Sequence, residues 1–495
     1  MLAECNVARK AAGMRSLLST LLVAALLGTA ACRPQPEGPL KAVVIGGEPR
    51  MRDPASGPLP APDAVLLQNV AQGLVRFDAA GNIVGGLAER WNVSDDGLSY
   101  IFRIASRNWP DGSKITAQQV ARLLKRQLGD RSRNPLKDSL GAVDDIVAMT
   151  DRVIEIRLLA PRPNLLALLA QPEFAIMRGS LGTGPFVWSA GPSGQVRLSR
   201  EILVGDEENA KREELLLGGA PAPDAIATFA LGKSDIVLGG TFADLPLALR
   251  TKLPRNALRF DPASGLFGLV PVSRGAKLDN PAVRQLLSQA LDRGAFVAAL
   301  RVPGLAPRAT LLEPGLDASA GPAPGWFGTP LGERLPALRA DAERLLGKTP
   351  PVIEVALPQG PGANLLLDEL KRDWGAIGLT VEQAQSVAGA DFVLIDEVAP
   401  SASAAWFTRR FRCAVVPICD DQADQLMDSA RQTPVPAQRS ALLSQAAARL
   451  DELQLFIPIA APVRWSLVSA RVLGFAGNRY ARHTLTDLQQ PAGNE

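Results

Sequence analysis

Between Val70 and Leu128 the chain sets three tight turns at fixed distances among short apolar runs, and this spacing constrains the fold more than any other feature. Val70 to Phe77 is apolar enough to be buried. Asp78-Ala79-Ala80-Gly81-Asn82 follows as a turn in which Gly81 and Asn82 can take positive φ. Leu87-Ala88-Glu89-Arg90-Trp91 leads to Val93, and Asp95-Asp96-Gly97 is the second turn. Tyr100, Phe102 and Ile104 alternate with Ile101, Arg103 and Ala105, the pattern of a strand with one buried face. Trp109-Pro110-Asp111-Gly112 is the third turn. Thr116 is then placed as an N-cap with Gln119 as its capping-box partner, which predicts a helix through Leu128.

This succession resembles the extracellular solute-binding proteins of the oligopeptide, dipeptide and nickel type that feed ABC importers. The matching points are Gly73-Leu74-Val75, Gly81, Leu87-Ala88-Glu89, Trp91, Asp96-Gly97, Tyr100, Phe102, Trp109, Asp111-Gly112, Thr116-Ala117 and Val120. Further along, Gly182-Thr183-Gly184-Pro185-Phe186, Gly232-Lys233-Ser234-Asp235-Ile236, and Val283-Arg284-Gln285 with Ala290-Leu291-Asp292-Arg293 fit the same family. The resemblance covers roughly residues 40 to 490, with some motifs missing. The acidic region Leu203 to Leu217 lacks the family's Asn-Pro-x-Tyr-Trp segment, and Val270-Pro271-Val272-Ser273 lacks its usual Asn.

The resemblance implies an α/β fold like that of periplasmic binding proteins: two hinged lobes of type II, with an extra N-terminal subdomain. Lobe I is expected over 41–265, with the subdomain inserted at about 62–175. Lobe II follows over 266–460, and 461–495 return to lobe I. Leu258 to Pro271 is the expected crossing between lobes, and Leu455 to Ala460 the return strand. Alternation of strands and helices from Val352 to Ile395 predicts a mostly parallel sheet.

At 495 residues the chain is too long for one ordinary core. The net charge is +3, and Arg9, Lys10, Arg15 and Glu4 supply +2 of it, leaving +1 for residues 32–495. That is no field for nucleic acid, and this class of partner is excluded.

The N-terminus reads as a secretory signal over 1–31, with Met14 as the better start. Met14-Arg15-Ser16 is a short positive region, and Leu17 to Leu27 is an apolar run of about ten residues, short for a membrane span. Gly28-Thr29-Ala30-Ala31 then precedes Cys32, which is expected to carry a lipid, with plain cleavage after Ala31 as the alternative. Residues 32–40 would be a tether, and the protein periplasmic or held at the membrane by Cys32. Of the four cysteines, Cys413 and Cys419 are then expected to pair as a disulfide in an exported chain. A metal site is disfavoured because His483 is the only histidine.

No Ser/His/Asp set, zinc-protease motif or dinucleotide fingerprint is present, so no catalysis and no cofactor are expected. Gly232-Lys233-Ser234 lacks the upstream glycine of a phosphate loop. In peptide-binding relatives a Trp and an Asp after the strand equivalent to Asp391–Ile395 line the cleft, and neither stands in register here. Asp396 or Glu397 is the candidate anchor for a ligand ammonium, and Trp406 the aromatic candidate. Replacing both Asp396 and Glu397 with alanine is then expected to abolish binding. Gly182, Thr183 and Gly184 are carried as further ligand-contact candidates. The expected ligand is a small peptide or another amine-bearing solute, the expected partners ABC permease subunits, and the expected state a monomer. The competing reading is a lobe pair that has lost transport and now scaffolds or senses at the cell surface.

Overall fold

A computed structural model describes residues 38–203, 210–486 and 488. The expected signal, Cys32 and most of the tether lie outside the described residues, as do six residues of the acidic Leu203–Leu217 stretch. Among the described residues no helix is long and apolar enough to cross a membrane.

Among the described residues three larger sheets and two two-stranded ribbons order the chain. A seven-stranded sheet runs in the order Val187–Ala190, Val196–Leu203, Ala210–Ala220, Leu40–Ile45, Ile236–Thr241, Arg464–Val468, Leu258–Phe260. A five-stranded sheet runs Thr380–Gln383, Val352–Ala356, Phe392–Val398, Gly265–Pro271, Ile457–Ala460. A four-stranded antiparallel sheet, Ala88–Val93, Ser99–Ile104, Val153–Leu158, Val143–Thr150, forms the subdomain with the helix Ala117–Leu128.

The opening stretch folds locally, for reasons its own residues supply. Phe102 and Ile104 are fully buried while Ile101 and Arg103 face out. Thr116 caps the helix by accepting from the Gln119 amide, and the Gln119 side chain accepts from the Thr116 amide, a complete capping box. The same Gln119 oxygen takes the indole N–H of Trp109 at 3.1 Å, and Trp109 is 2% exposed. The motif thus ties its turn to its helix through one side chain.

The five-stranded sheet is mixed, not mostly parallel. Val352–Ala356 pairs in parallel with Thr380–Gln383 and Phe392–Val398, as the alternation of strands and helices requires. Gly265–Pro271 then runs antiparallel to Phe392–Val398 and to Ile457–Ala460, because it arrives from the other lobe rather than over a helix.

The acidic region without its motif holds a strand. Ala210–Ala220 lies inside the seven-stranded sheet, parallel to Leu40–Ile45 and antiparallel to Val196–Leu203. Its glutamates are neutralised across the pair: Glu213 meets Arg200 at 2.5 Å, and Glu214 meets Arg197 at 2.9 Å. Cross-strand charge complementarity stands in for an alternating apolar pattern.

Arg284 and Asp292 of the family-like motif both bond to backbone groups. Arg284 is 2% exposed and donates to the carbonyls of Leu278, Asp279 and Leu453. Asp292 caps the helix Arg293–Leu300 through the Ala295 amide.

The chain passes between the seven- and five-stranded sheets twice, after Phe260 to Gly265 and after Ala460 to Arg464. The two passages are neighbours, since Gly265–Pro271 pairs with Ile457–Ala460 and Leu258–Phe260 with Arg464–Val468. One apolar cluster runs through this joint, from Val43, Val237 and Trp465 to Phe267, Phe296 and Phe392.

Candidate functional site

A cavity of about 100 Å3 opens between the subdomain and the second lobe. About 10–15 Å3 of such volume holds one water, so it admits a compact group several waters in size.

The subdomain supplies one wall: the 3-10 turn Lys137–Leu140, the Gly141-Ala142 link after it, and the Arg162-Pro163-Asn164 entry to the helix Leu165–Leu169. Pro161 and Pro163 bracket Arg162 and hold the segment extended before the helix begins. The second lobe supplies the other wall: Asp317, the helix Ala404–Thr408, the 3-10 turn Arg409–Phe411, and the helices Asp421–Gln432 and Pro436–Glu452. Leu165, Leu168, Trp406, Met427 and Leu443 give an apolar lining. Trp406 is 5% exposed and packs edge-on against Phe407, with ring centres 5.1 Å apart.

Hydrogen bonds join the two walls. Arg162 Nη2 donates to the Arg431 carbonyl at 3.1 Å, and Asn164 Nδ2 to the Ala402 carbonyl at 3.2 Å. Gln171 Nε2 donates to the Pro400 carbonyl at 2.9 Å. The two halves therefore meet across the cleft as well as at the joint.

Polar groups in the cavity are dominated by arginine. Arg162, Arg409, Arg412, Arg431 and Arg439 line it, against Asp138 and Asp317. Asp317 is the hub of the second wall. It accepts from the Ala404 amide at 2.6 Å, so it caps the short helix from outside, and from Arg439 Nη1 at 2.8 Å. Arg412 pairs with Asp428 at 2.8 Å. Arg162, Arg409 and Arg431 form no ion pair among the described residues, and Nη1 of Arg409 is buried without a hydrogen-bond partner. Burial pulls the Arg162 guanidinium down to about 10, with Arg439 and Arg431 adding repulsion and Asp317 opposing it. Burial likewise lowers Arg409, with Asp138 opposing and Arg431 reinforcing.

The residues singled out from sequence are dispersed. Trp406 lines the cavity. Asp396 is paired with Arg464: Nη1 meets its carboxylate at 2.7 Å and Nη2 its carbonyl at 2.9 Å. Burial raises Asp396, and Arg464 pulls it back. Glu397 is paired with Arg410. Gly182 and Gly184 stand behind the helix Ala61–Val70: a Cβ on Gly182 would lie 2.0 Å from the Val70 carbonyl oxygen, and one on Gly184 2.4 Å from that of Asn69. Neither has positive φ, so close approach is the reason for glycine here. Thr183 between them is 5% exposed and donates to the Gln72 carbonyl at 3.0 Å. The sulfurs of Cys413 and Cys419 lie within disulfide distance, in the loop just after Arg412. Among the described residues no group of three His, Cys, Asp or Glu side chains is arranged to hold a metal ion.

The arginines were not singled out from the sequence, although Thr408-Arg409-Arg410-Phe411-Arg412 beside Trp406 carried a local signal. Arg162, Arg431 and Arg439 come from segments far apart in the chain, and only the fold brings them to one place.

Known proteins share this architecture and sequence pattern. Residues 82–394 match the family described as bacterial extracellular solute-binding proteins, family 5 Middle. The probable di/tripeptide-binding protein 5 of Pseudomonas aeruginosa (strain UCBPP-PA14) is 24% identical over 492 residues, 83% of this chain and 88% of that protein. The crystal structure of Haemophilus influenzae OppA in complex with RPPGFSPFR superposes with a TM-score of 0.77 at 16% identity, over 91% of this chain and 99% of that one. The Escherichia coli murein tripeptide binding protein MppA gives 0.77 at 16% identity, over 90% and 98%. These likenesses identify the fold as that of type II periplasmic binding proteins. The family match spans more than half of the sequence, and the chain belongs to the bacterial extracellular solute-binding proteins of family 5.

Proposed function

We propose that this protein captures a small peptide in the cavity between the subdomain and the second lobe and delivers it to an ABC permease without altering it covalently. The observation that carries the reading is the cavity itself, walled by two parts of the chain that the joint allows to separate. A solute touching both Arg162 on one wall and Trp406 on the other favours the closed arrangement. It does so only by its greater affinity for that form, tenfold for each ~1.4 kcal/mol. The names of the Pseudomonas aeruginosa and Haemophilus influenzae relatives support peptide as the solute class.

The supporting parts of the proposal are a chain exported by its N-terminal signal, anchored by a lipid on Cys32, monomeric, and closed by a Cys413–Cys419 disulfide formed after export. Thermal unfolding of the full chain with di- and tripeptide mixtures tests capture. A ligand at about a hundred times its Kd adds about 2.7 kcal/mol of stability, which reads as a clear rise in Tm. No rise with any mixture overturns capture of peptides.

A further inference from the structure

We infer that the cavity selects acidic peptides, recognising a side-chain carboxylate together with the terminal carboxylate. This rests on the cavity being the capture site proposed above and narrows its ligand class. The inference starts from the charge left over in the cavity. Five guanidiniums line it, and two are neutralised at hydrogen-bond distance, Arg439 by Asp317 and Arg412 by Asp428. Three others, Arg162, Arg409 and Arg431, form no ion pair among the described residues.

Arg162 and Arg409 are partly shielded from solvent, and Arg431 stands exposed at the edge of the same cavity. Arg162 Nη2 reaches the backbone carbonyl of Arg431, which brings the first wall's cation to the helix that bears the second. Arg409 completes the group from the turn after Trp406, with a buried Nη1 that no protein atom satisfies. An unpaired buried donor on a cation is costly, and a fold that retains one leaves a place for an acceptor. Like charges held close in a partly dry cavity repel, and an anion between them removes the repulsion. A carboxylate suits the site because guanidiniums bind it with paired, charge-assisted hydrogen bonds.

The acidic residues that a ligand ammonium would need are committed elsewhere. Asp396 is held by Arg464, Glu397 by Arg410 and Asp317 by Arg439. Asp138 is the remaining lining carboxylate, and it lies on the side of Arg409. One carboxylate against three unpaired guanidiniums leaves room for two negative groups.

Calorimetry on the full chain with Ala-Glu, Ala-Ala and Ala-Lys tests this, since the three dipeptides carry a negative, a neutral and a positive second side chain. Ala-Glu is expected to bind at least about tenfold more tightly than Ala-Ala, and Ala-Lys least of all, because truncating one partner of a desolvated charge pair loses that much or more. The preference should shrink as salt rises. Arg409→Gln should cost Ala-Glu about tenfold in affinity and narrow its advantage over Ala-Ala, with an unaltered cooperative thermal transition of the free variant showing that it is folded. Equal binding of the three dipeptides, or a preference for Ala-Lys, overturns the acidic selection and leaves peptide capture standing. Binding of none of them, with no Tm rise in the mixtures, overturns both.

Discussion

Two of the places in this molecule that hold charge away from water treat it oppositely. At the joint, Asp396 and Arg464 are each about 15% exposed at the side chain and meet each other through both the carboxylate and the Asp396 carbonyl. In the cavity, Arg162 and Arg409 are partly buried with no such partner among the described residues. The joint pair ties a strand of the second lobe to the first residue of the strand entering the first lobe, so its requirement is met inside the chain. The cavity cations have a requirement the chain leaves open. Buried charge is tolerable when paired, and the difference between the two places separates a structural ion pair from a receptive surface.

The largest effect expected from breaking this contrast is at the joint. Arg464→Met leaves Asp396 buried and uncompensated and should cost about 3–5 kcal/mol in chemical denaturation at pH 7. The sign with pH follows from the raised Asp396. Its folded form holds a proton at pH values where the unfolded aspartate has lost it, so stability falls as pH rises through that window. The loss in Arg464→Met should therefore be greatest near neutrality and shrink as pH is lowered toward the ordinary aspartate range.

A smaller effect comes from the cavity wall. Reducing the Cys413–Cys419 pair releases the loop after Arg412 and should cost about 2 kcal/mol. It should also weaken ligand binding, whereas the pH response set by Asp396 stays unchanged. Asp317→Asn removes the charge that caps Ala404–Thr408 and balances Arg439 and should cost about 1–2 kcal/mol. It also adds to the unpaired positive charge, so Ala-Glu should bind more tightly to this variant in calorimetry. The smallest effect has the opposite sign. Arg409→Gln relieves a buried, unpaired donor and should stabilise the free protein by about 1 kcal/mol in denaturant titration. A loss of stability there would place Arg409 with Arg464 as a structural cation and erase the contrast.

What the sequence made legible was local. Trp109, Thr116 and Gln119 lie within eleven residues, and their turn, cap and hydrogen bonds follow from spacing. Gly182 and Gly184 were legible as glycines that matter, but the reason lies in the carbonyls of Asn69 and Val70 on a distant helix. Asp396 and Glu397 look like free acids at a strand end because nothing nearby in sequence announces Arg464, and Arg410 reads equally well as surface charge. The cavity arginines were illegible for the same reason: each alone is an ordinary arginine, and its meaning is the company it keeps. The acidic strand Ala210–Ala220 escaped notice because its neutralising arginines stand on the paired strand.

The order of strands in the seven-stranded sheet has a consequence for synthesis. Among the described strands the earliest, Leu40–Ile45, has Ile236–Thr241 beside it, and that strand is itself flanked by Arg464–Val468, far later in the sequence. Residues later still close over the early part: the Leu485 amide donates to Asn69 at 2.9 Å, and Asn478 Nδ2 to the Ala79 carbonyl at 3.3 Å. The leading lobe stays an unfinished sheet until Arg464–Val468 has emerged. A chain that cannot lock its first half early stays pliant while the rest of it is made.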